Sequence, residues 1–175
     1  MLWGMSELKS TLWWITVIAI FIVPFIVFVV PGSMFFPFIT GKNFMFRIVV
    51  EVMVACWAIL AYMDHAYRPR FTYILGAAGA FLGILTLADL LGENPYRSFW
   101  SNYERMEGLI THAHLFLYFL VAGSLSMSEK MWGWVLKTSL GASILVCLHA
   151  FQQLAGMADI HQSATRLDAS LGNAT

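Results

Sequence analysis

Five long apolar runs dominate the chain, and each has roughly the length of a membrane span. A bilayer core about 30 Å thick needs about 20 helical residues, because each residue rises about 1.5 Å. These runs predict an all-α fold, a polytopic transmembrane helix bundle of about five spans that forms one transmembrane domain over residues 1–175. The spans are expected at about 12–30, 44–63, 71–91, 109–127 and 132–154, with ends that can move by a few residues.

Polar residues are concentrated between these runs. They form a Pro/Gly/aromatic loop at 31–43, a basic turn at 64–70, a charged aromatic loop at 92–108, a short turn at 128–130 and a polar tail from Gly156. The first run contains Pro24, which a membrane helix accepts when its neighbours satisfy the freed carbonyl. The run does not end in the small residues that precede a signal-peptide cleavage site, so we expect it to be retained.

Composition supports a membrane protein. Hydrophobic residues make up 59% of the chain and charged residues only 11%, with a mean hydropathy of +0.72, whereas a soluble domain has roughly 25% charged residues. The net charge is zero and no basic stripe is present, which argues against nucleic-acid binding. The lipid bilayer is therefore the expected partner. Cys56 and Cys147 lie within apolar runs, where a thiol behaves as a small hydrophobic group.

The basic residues predict an orientation with the N-terminus in the cytoplasm. The number of basic residues does not decide the orientation, because five would lie on each side of the membrane. The shortest turns are basic on the side that contains Lys9, which favours a cytoplasmic N-terminus. The inner set is Lys9, Arg68, Arg70, Lys130 and Lys137, and the outer set is Lys42, Arg47, Arg97, Arg105 and Arg166. This outer set is then available to hold an anionic ligand.

Two segments carry candidate binding chemistry. Arg47 and Glu51 are four residues apart on one helix face, and they form either an interfacial ion pair or part of a polar cavity between helices. The 92–108 loop holds two arginines, three glutamates and four aromatic residues, which fits either an aromatic belt with surface ion pairs or a site for phosphate and sugar groups. His112 and His114 point about 200° apart on a helix, which argues against a shared metal and favours hydrogen bonds between helices.

Three sequence segments resemble the O-antigen ligase and O-antigen polymerase superfamily of bacterial membrane glycosyltransferases. The C-terminal run Arg166-Leu-Asp-Ala-Ser-Leu-Gly-Asn-Ala-Thr is similar to the family's arginine and Gly-Asn turn, with Ala174 where the family usually has proline. The segments 36–43 and 94–108 look like outer loops of these ligase-like proteins. The resemblance covers nearly the whole chain, and the 94–108 motif is its most specific part.

The resemblance implies an enzyme of lipopolysaccharide biosynthesis in the bacterial inner membrane. Such an enzyme transfers a glycan from an undecaprenyl diphosphate carrier to an acceptor at the outer membrane face, with no metal and no cofactor. In the family, arginines bind the diphosphate and a histidine of a later outer loop is the expected base, so the chain is interpreted as the N-terminal half of a larger protein whose C-terminal half is a further partner. The expected donor-binding residues are Arg166, Arg97, Arg105, Arg47 and Lys42, supported by Glu51, Glu104, Glu107 and Asn173, with no catalytic residue assigned.

Two alternative functions are also consistent with the sequence. An O-antigen polymerase or a protein O-oligosaccharyltransferase would share the arginine turn and differ in its acceptor. A non-enzymatic transporter or assembly subunit would belong to another class, and it would ordinarily contain chains of ionisable residues inside the membrane. The later spans contain few such residues beyond histidines, Asp89 and Lys137, which favours the glycosyltransferase.

Overall fold

The computed structural model describes residues 2–34, 36–102, 106–160 and 167–171, and its regular elements in these ranges are all helical. The main helices are α1 (Leu2–Ile22), α2 (Thr40–Met63), α3 (Tyr73–Leu91), α4 (Pro95–Trp100), α5 (Leu109–Ser124) and α6 (Glu129–Leu154). Short 3₁₀ helices cover Val23–Phe28 and His65–Tyr67. The predicted all-α bundle of about five spans is thus confirmed.

Four of the helical segments are long and apolar enough to cross a membrane, which makes this a membrane protein. They are Met5–Phe28, Thr40–Met63, Tyr73–Leu91 and Glu129–Leu154. The fourth predicted span, 109–127, is shorter in the structure, because α5 has 16 residues and the chain becomes extended at Leu125. Sixteen residues extend over about 24 Å, less than the full thickness of a bilayer core.

Polar residues immediately before the apolar runs determine where three helices begin. The side chains of Thr72, Asn94 and Ser128 accept hydrogen bonds from the backbone N–H groups three residues later, at 3.2, 3.1 and 3.3 Å. Such caps satisfy donors that have no partner inside the helix. The Asn94 cap is followed by Pro95 and begins α4, a helix within the 92–108 loop that the sequence analysis did not predict.

Pro24 changes the first span. It lacks the N–H that would continue the α-helical pattern, and the chain follows a 3₁₀ helix from Val23 to Phe28 after α1 ends at Ile22. A membrane helix that accepts Pro24 was expected over this run, and the structure changes to a 3₁₀ helix around that proline. The tighter helix still belongs to the apolar segment Met5–Phe28.

Helices α1 and α2 form an antiparallel pair that contributes five of the ten buried residues of the core cluster. Val17 and Ile20 of α1 pack with Val49 and Met53 of α2, and all four side chains are buried. The N-terminal part of α1 and the C-terminal end of α2 are joined by an ion pair between Lys9 Nζ and the Asp64 carboxylate at 3.0 Å.

Most large apolar side chains outside this core face outward. Ile74 and Leu91 of α3 and Leu136 of α6 are 70%, 85% and 70% exposed, which is the pattern of lipid-facing surface rather than of a soluble domain. No residue of α3 is buried. Helix α3 comes closest to α5 at Gly79, where an added Cβ would lie 3.9 Å from the Phe116 ring, whereas Gly83 of α3 has open space around it.

Candidate functional site

The guanidinium of Arg47 connects α2 to the beginning of α5. Its Nη2 donates to the carbonyl oxygen of Met106 and, at 3.0 Å, to the hydroxyl oxygen of Thr111. The Thr111 hydroxyl donates in turn to the same Met106 carbonyl at 3.0 Å. The Arg47 side chain is only 7% exposed, and within the described residues its buried Nε has no acceptor. Among the described residues, this nitrogen is thus a buried donor without an acceptor.

The depth of the Arg47 contacts follows from helix geometry. Arg47 is seven residues after Thr40, which corresponds to about 10 Å along the axis of α2. Thr111 is the third residue of α5, about 3 Å from its start, so the contact places the start of α5 about 7 Å along the axis from the start of α2. Beside the first turns of α2, residues of α4 and the described residues Ser101, Asn102 and Met106 line a cavity together with Phe44 and Arg47. The 16-residue helix α5 thus starts deeper in the bundle than α2 does, measured along the axis of α2.

Close backbone packing fixes this loop against α5. An added Cβ on Gly108 would lie 2.3 Å from the carbonyl oxygen of Phe99 and 2.5 Å from that of Ser98, so only glycine fits. Met106 and Ser101 have positive φ angles of 51° and 64°, which non-glycine residues rarely adopt and which often mark functional sites. The Met106 carbonyl oxygen, which accepts a hydrogen bond from Arg47, belongs to this constrained backbone.

A cavity of about 430 Å³ opens beside Arg47. Its walls are formed by Arg47, by three aromatic side chains, by two small polar residues and by one methionine. These are Phe44, Tyr96 and Trp100, then Ser101 and Asn102, and Met106. Its volume lies within the range of small-molecule sites, roughly 300–1,000 Å³. A buried cation with aromatic walls suits an anionic group attached to an apolar or sugar moiety, since guanidinium nitrogens match phosphate and carboxylate oxygens.

Glu51 lies one helical turn beyond Arg47 and contacts α5 as well. Its Oε1 is 3.4 Å from Nε2 of His114, whose Nδ1 lies 2.7 Å from the carbonyl oxygen of Ile110. The expected alternative, an ion pair between Arg47 and Glu51, is not formed between these two described side chains. Arg47 instead bonds to Met106 and Thr111 and lines a cavity between helices.

Lys42 belongs to a second polar cluster. Its Nζ donates to the carbonyl oxygen of Ser170, which ties the beginning of α2 to the segment at 167–171. Gln153 at the end of α6 holds the same segment: its Nε2 donates to the Asp168 carboxylate at 2.6 Å, and its Oε1 accepts from the Ala169 N–H at 2.8 Å. Lys42 thus stabilises a loop and is not among the residues that line the Arg47 cavity.

Some of the other predicted site residues are exposed on the surface, and the rest lie outside the described part of the chain. Arg97 donates from Nε and Nη2 to the Asn102 side-chain oxygen at 3.3 and 3.0 Å, within its own loop. Glu107 is exposed. The remaining predicted residues, Glu104, Arg105, Arg166 and Asn173, lie outside the described part of the chain. Lys42, Arg47 and Arg97 are the predicted donor-binding residues that the structure describes, and of these three only Arg47 lines the aromatic cavity.

The sequence analysis missed Thr111 as the partner of Arg47. One signal was available: Thr111 and His114 are three residues apart and share a face of α5, as Arg47 and Glu51 share a face of α2. Polar pairs spaced four residues apart on one helix and three apart on the other can meet across parallel helices, because both spacings keep the pair on one helix face. The Met106 carbonyl carries no comparable signal, because backbone acceptors are present at every position.

Comparison of the chain with protein-family models, with curated proteins and with solved structures finds no match. The geometry of the Arg47 site is therefore the basis for any assignment of function to this membrane protein.

Proposed function

We propose that this chain supplies the donor-binding part of a membrane glycosyltransferase of the O-antigen ligase type, located at the outer face of the bacterial inner membrane. The donor is a glycan linked to undecaprenyl diphosphate, and Arg47 binds the diphosphate. The supporting observation is the buried Arg47 guanidinium, whose Nε has no acceptor among the described residues, beside an aromatic-walled cavity.

The chemistry of the cavity suits each part of such a donor. Guanidinium N–H groups form charge-assisted hydrogen bonds to diphosphate oxygens, and these bonds strengthen as negative charge develops on a leaving diphosphate. Tyr96, Trp100 and Phe44 offer flat surfaces to a sugar ring or the first isoprene units. Ser101 and Asn102 add polar groups at the same cavity wall.

Donor binding is the activity assigned to these residues. The resemblance puts the catalytic base in a later outer loop of the family, and no described residue is proposed to act as that base. An O-antigen polymerase or a protein O-oligosaccharyltransferase would use the same class of donor, so this proposal concerns the donor and leaves the acceptor open. A transporter or assembly subunit would not need selective recognition of a diphosphate.

The test is direct binding of undecaprenyl diphosphate to the chain in lipid nanodiscs. Loss of charge-assisted hydrogen bonds costs about 1.5–3 kcal/mol, so Arg47→Ala should weaken binding roughly 10- to 150-fold. Arg47→Lys should also bind weakly, because an ammonium keeps the charge but lacks the planar fork. Binding should fall with added salt where solvent reaches the contact.

The matched control is Arg68→Ala. Arg68 is exposed, and its Nε donates to the carbonyl oxygen of Ala61 near the other end of α2, at 3.1 Å. This variant should bind like the wild type. Equal binding by wild type and Arg47→Ala, with melting curves that show both to be folded, would contradict the proposed function.

A further inference from the structure

An apolar groove, the α1–α2 groove, runs along the surface between the first two long helices. Its volume is about 230 Å³, and every residue that lines it is aliphatic. Helix α1 contributes Ile15, Ile18, Ala19 and Ile22, and α2 contributes Ile48, Val49 and Val52. Ala19 and Val49 are buried at its floor, whereas Ile18 and Ile48 at its rims are 52% and 54% exposed. The groove is therefore open on its lipid-facing side.

One stripe of α2 connects this groove to the Arg47 cavity. Phe44, Ile48 and Val52 are spaced four residues apart and so share one face of the helix. Phe44 lines the Arg47 cavity, Ile48 and Val52 line the groove, and all three side chains are exposed. Arg47 and Glu51 lie on the neighbouring face, toward α5. The cavity and the groove are thus consecutive parts of one open path, which extends about 12 Å along α2 from Phe44 to Val52.

The path leads from a helix end into the bilayer core. Phe44 is the fifth of the 24 residues of α2 and Val52 is the thirteenth, so the path ends near the middle of the span. On the other wall, Ile22 is the last residue of α1, and Ile15 lies about 10 Å deeper along that helix. The chain of a lipid whose head group is bound at Arg47 would extend in the same direction, toward the bilayer centre.

The lining residues give the groove a stiff shape. Six of the seven are isoleucine or valine, whose β-branched side chains are restricted at χ1. Such walls lose little rotamer freedom when a chain packs against them. Apolar burial alone selects no ligand here, because the surrounding lipid tails are equally apolar. A chain attached to a head group bound at Arg47 has an advantage over bulk lipid, since attachment raises its effective concentration at the groove.

We infer that the α1–α2 groove binds the polyprenyl chain of the ligand whose diphosphate is held at Arg47. The inference rests on the proposed function for the identity of that ligand, and it adds a site for the chain. The first isoprene units leave the cavity past Phe44 and lie along Ile48 and Val52. The protein thereby distinguishes a membrane-anchored diphosphate from a soluble one.

The experiment compares undecaprenyl diphosphate with inorganic diphosphate as ligands of the chain in lipid nanodiscs. Ile48→Trp fills the groove from an exposed rim position, which leaves the buried floor unchanged. This variant should bind undecaprenyl diphosphate about fivefold more weakly, because the displaced chain loses several carbon–carbon contacts that are individually weak. Binding of inorganic diphosphate, which has no chain, should equal that of the wild type. Ile18→Trp, on the opposite rim, should have the same effects.

Ile84→Trp is the matched control. Ile84 of α3 is 67% exposed and lines neither the Arg47 cavity nor the groove, so this variant should bind undecaprenyl diphosphate like the wild type. Photolabelling locates the chain directly. A phospholipid with a diazirine on its acyl chain should label both α3 and the groove residues of α1 and α2. Excess undecaprenyl diphosphate should reduce the labelling of the groove and leave that of α3 unchanged.

The outcomes separate the two proposals. A wild type that binds neither diphosphate ligand would overturn both. Binding that is lost in Arg47→Ala but is equal in Ile48→Trp and Ile84→Trp would overturn the groove and leave the proposed function standing. Equal losses of both diphosphate ligands in Ile48→Trp would place its effect at the head group and would also overturn the groove. Groove labelling that undecaprenyl diphosphate does not reduce would show that bulk lipid occupies the groove instead.

Discussion

The hydroxyl of Thr111 lies 3.0 Å from Nη2 of Arg47, although the two residues are 64 positions apart in the sequence. This contact sets the depth at which α5 begins beside α2. It also orients the guanidinium, whose buried Nε remains without an acceptor among the described residues.

Replacing Thr111 by valine should destabilise the protein by about 1–3 kcal/mol, because it leaves a buried charged donor without one of its partners. The measurement is the thermal unfolding midpoint in detergent. Thr86→Val is the matched control: the Thr86 hydroxyl donates to the Leu82 carbonyl within its own helix, at 2.8 Å. Equal destabilisation by both changes would show that the Arg47 contact has no special importance.

Gly108→Ala should disturb the junction between the 92–108 loop and α5. The new methyl group would lie 2.3 Å from a backbone oxygen of Phe99, and backbone cannot move aside as a flexible side chain can. Overpacking of this kind costs about 1–3 kcal/mol. The same change at Gly123 of α5 meets nothing within 4 Å and should be neutral or slightly stabilising. Unfolding midpoints of the two variants should therefore differ, and similar midpoints would contradict the close approach at Gly108.

The ion pair of Lys9 with Asp64 predicts a dependence of stability on acidic pH. The Ala66 N–H, followed by Lys9, lowers the pKa of the Asp64 carboxyl group below its ordinary value. A lowered pKa in the folded state stabilises the fold above the unfolded pKa, about 3.9, and this contribution is lost as pH falls through the folded pKa.

Asp64→Asn should remove that part of the pH dependence. The measurement is the unfolding midpoint from about pH 5 down to the folded pKa, with Asp89→Asn as a control for loss of one carboxylate. The effect should be small, since exposed ion pairs are screened by solvent. A wild type and an Asp64→Asn variant with parallel profiles would show that Asp64 makes no pH-dependent contribution.

The orientation predicted from the basic turns can be tested by labelling in intact cells. Single cysteines at Glu93 and Ser126, in a chain whose Cys56 and Cys147 are replaced by alanine, lie on either side of α5. With the N-terminus in the cytoplasm, an impermeant thiol reagent should label only position 93. Labelling of position 126 alone would reverse the orientation, and labelling of both would show that the 16-residue α5 does not cross.

The spans could be predicted from the sequence because the bilayer requires a local property, a run of about 20 apolar residues with internally bonded backbone. The helix starts at Thr72 and Ser128 are similarly local, since each cap bonds within three residues. The shortening of α5 was not predictable from hydropathy. The helix begins at Leu109 as predicted, and it is shorter only because the backbone becomes extended at Leu125.

The candidate site was only partly predictable because charge alone does not reveal partners. Lys42, Arg47 and Arg97 are equivalent as outer basic residues in the sequence, yet they bind a Ser170 carbonyl, an interhelical network and the neighbouring Asn102, respectively. Two of these partners come from segments more than 50 residues away. Tertiary packing therefore decides which cation remains available to a ligand.

The sparse packing of α3 has a consequence for the biogenesis of this protein. A helix with no fully buried residue gains little from assembly, so its partition from the translocon into lipid depends on its own apolar composition. Helix α5 is in the opposite position, since its short length and two histidines make it a weak insertion signal that depends on α2 being present already. Polar substitutions in α3 should therefore lower the insertion of α3 itself, whereas substitutions at the α2 contact should lower the insertion of α5.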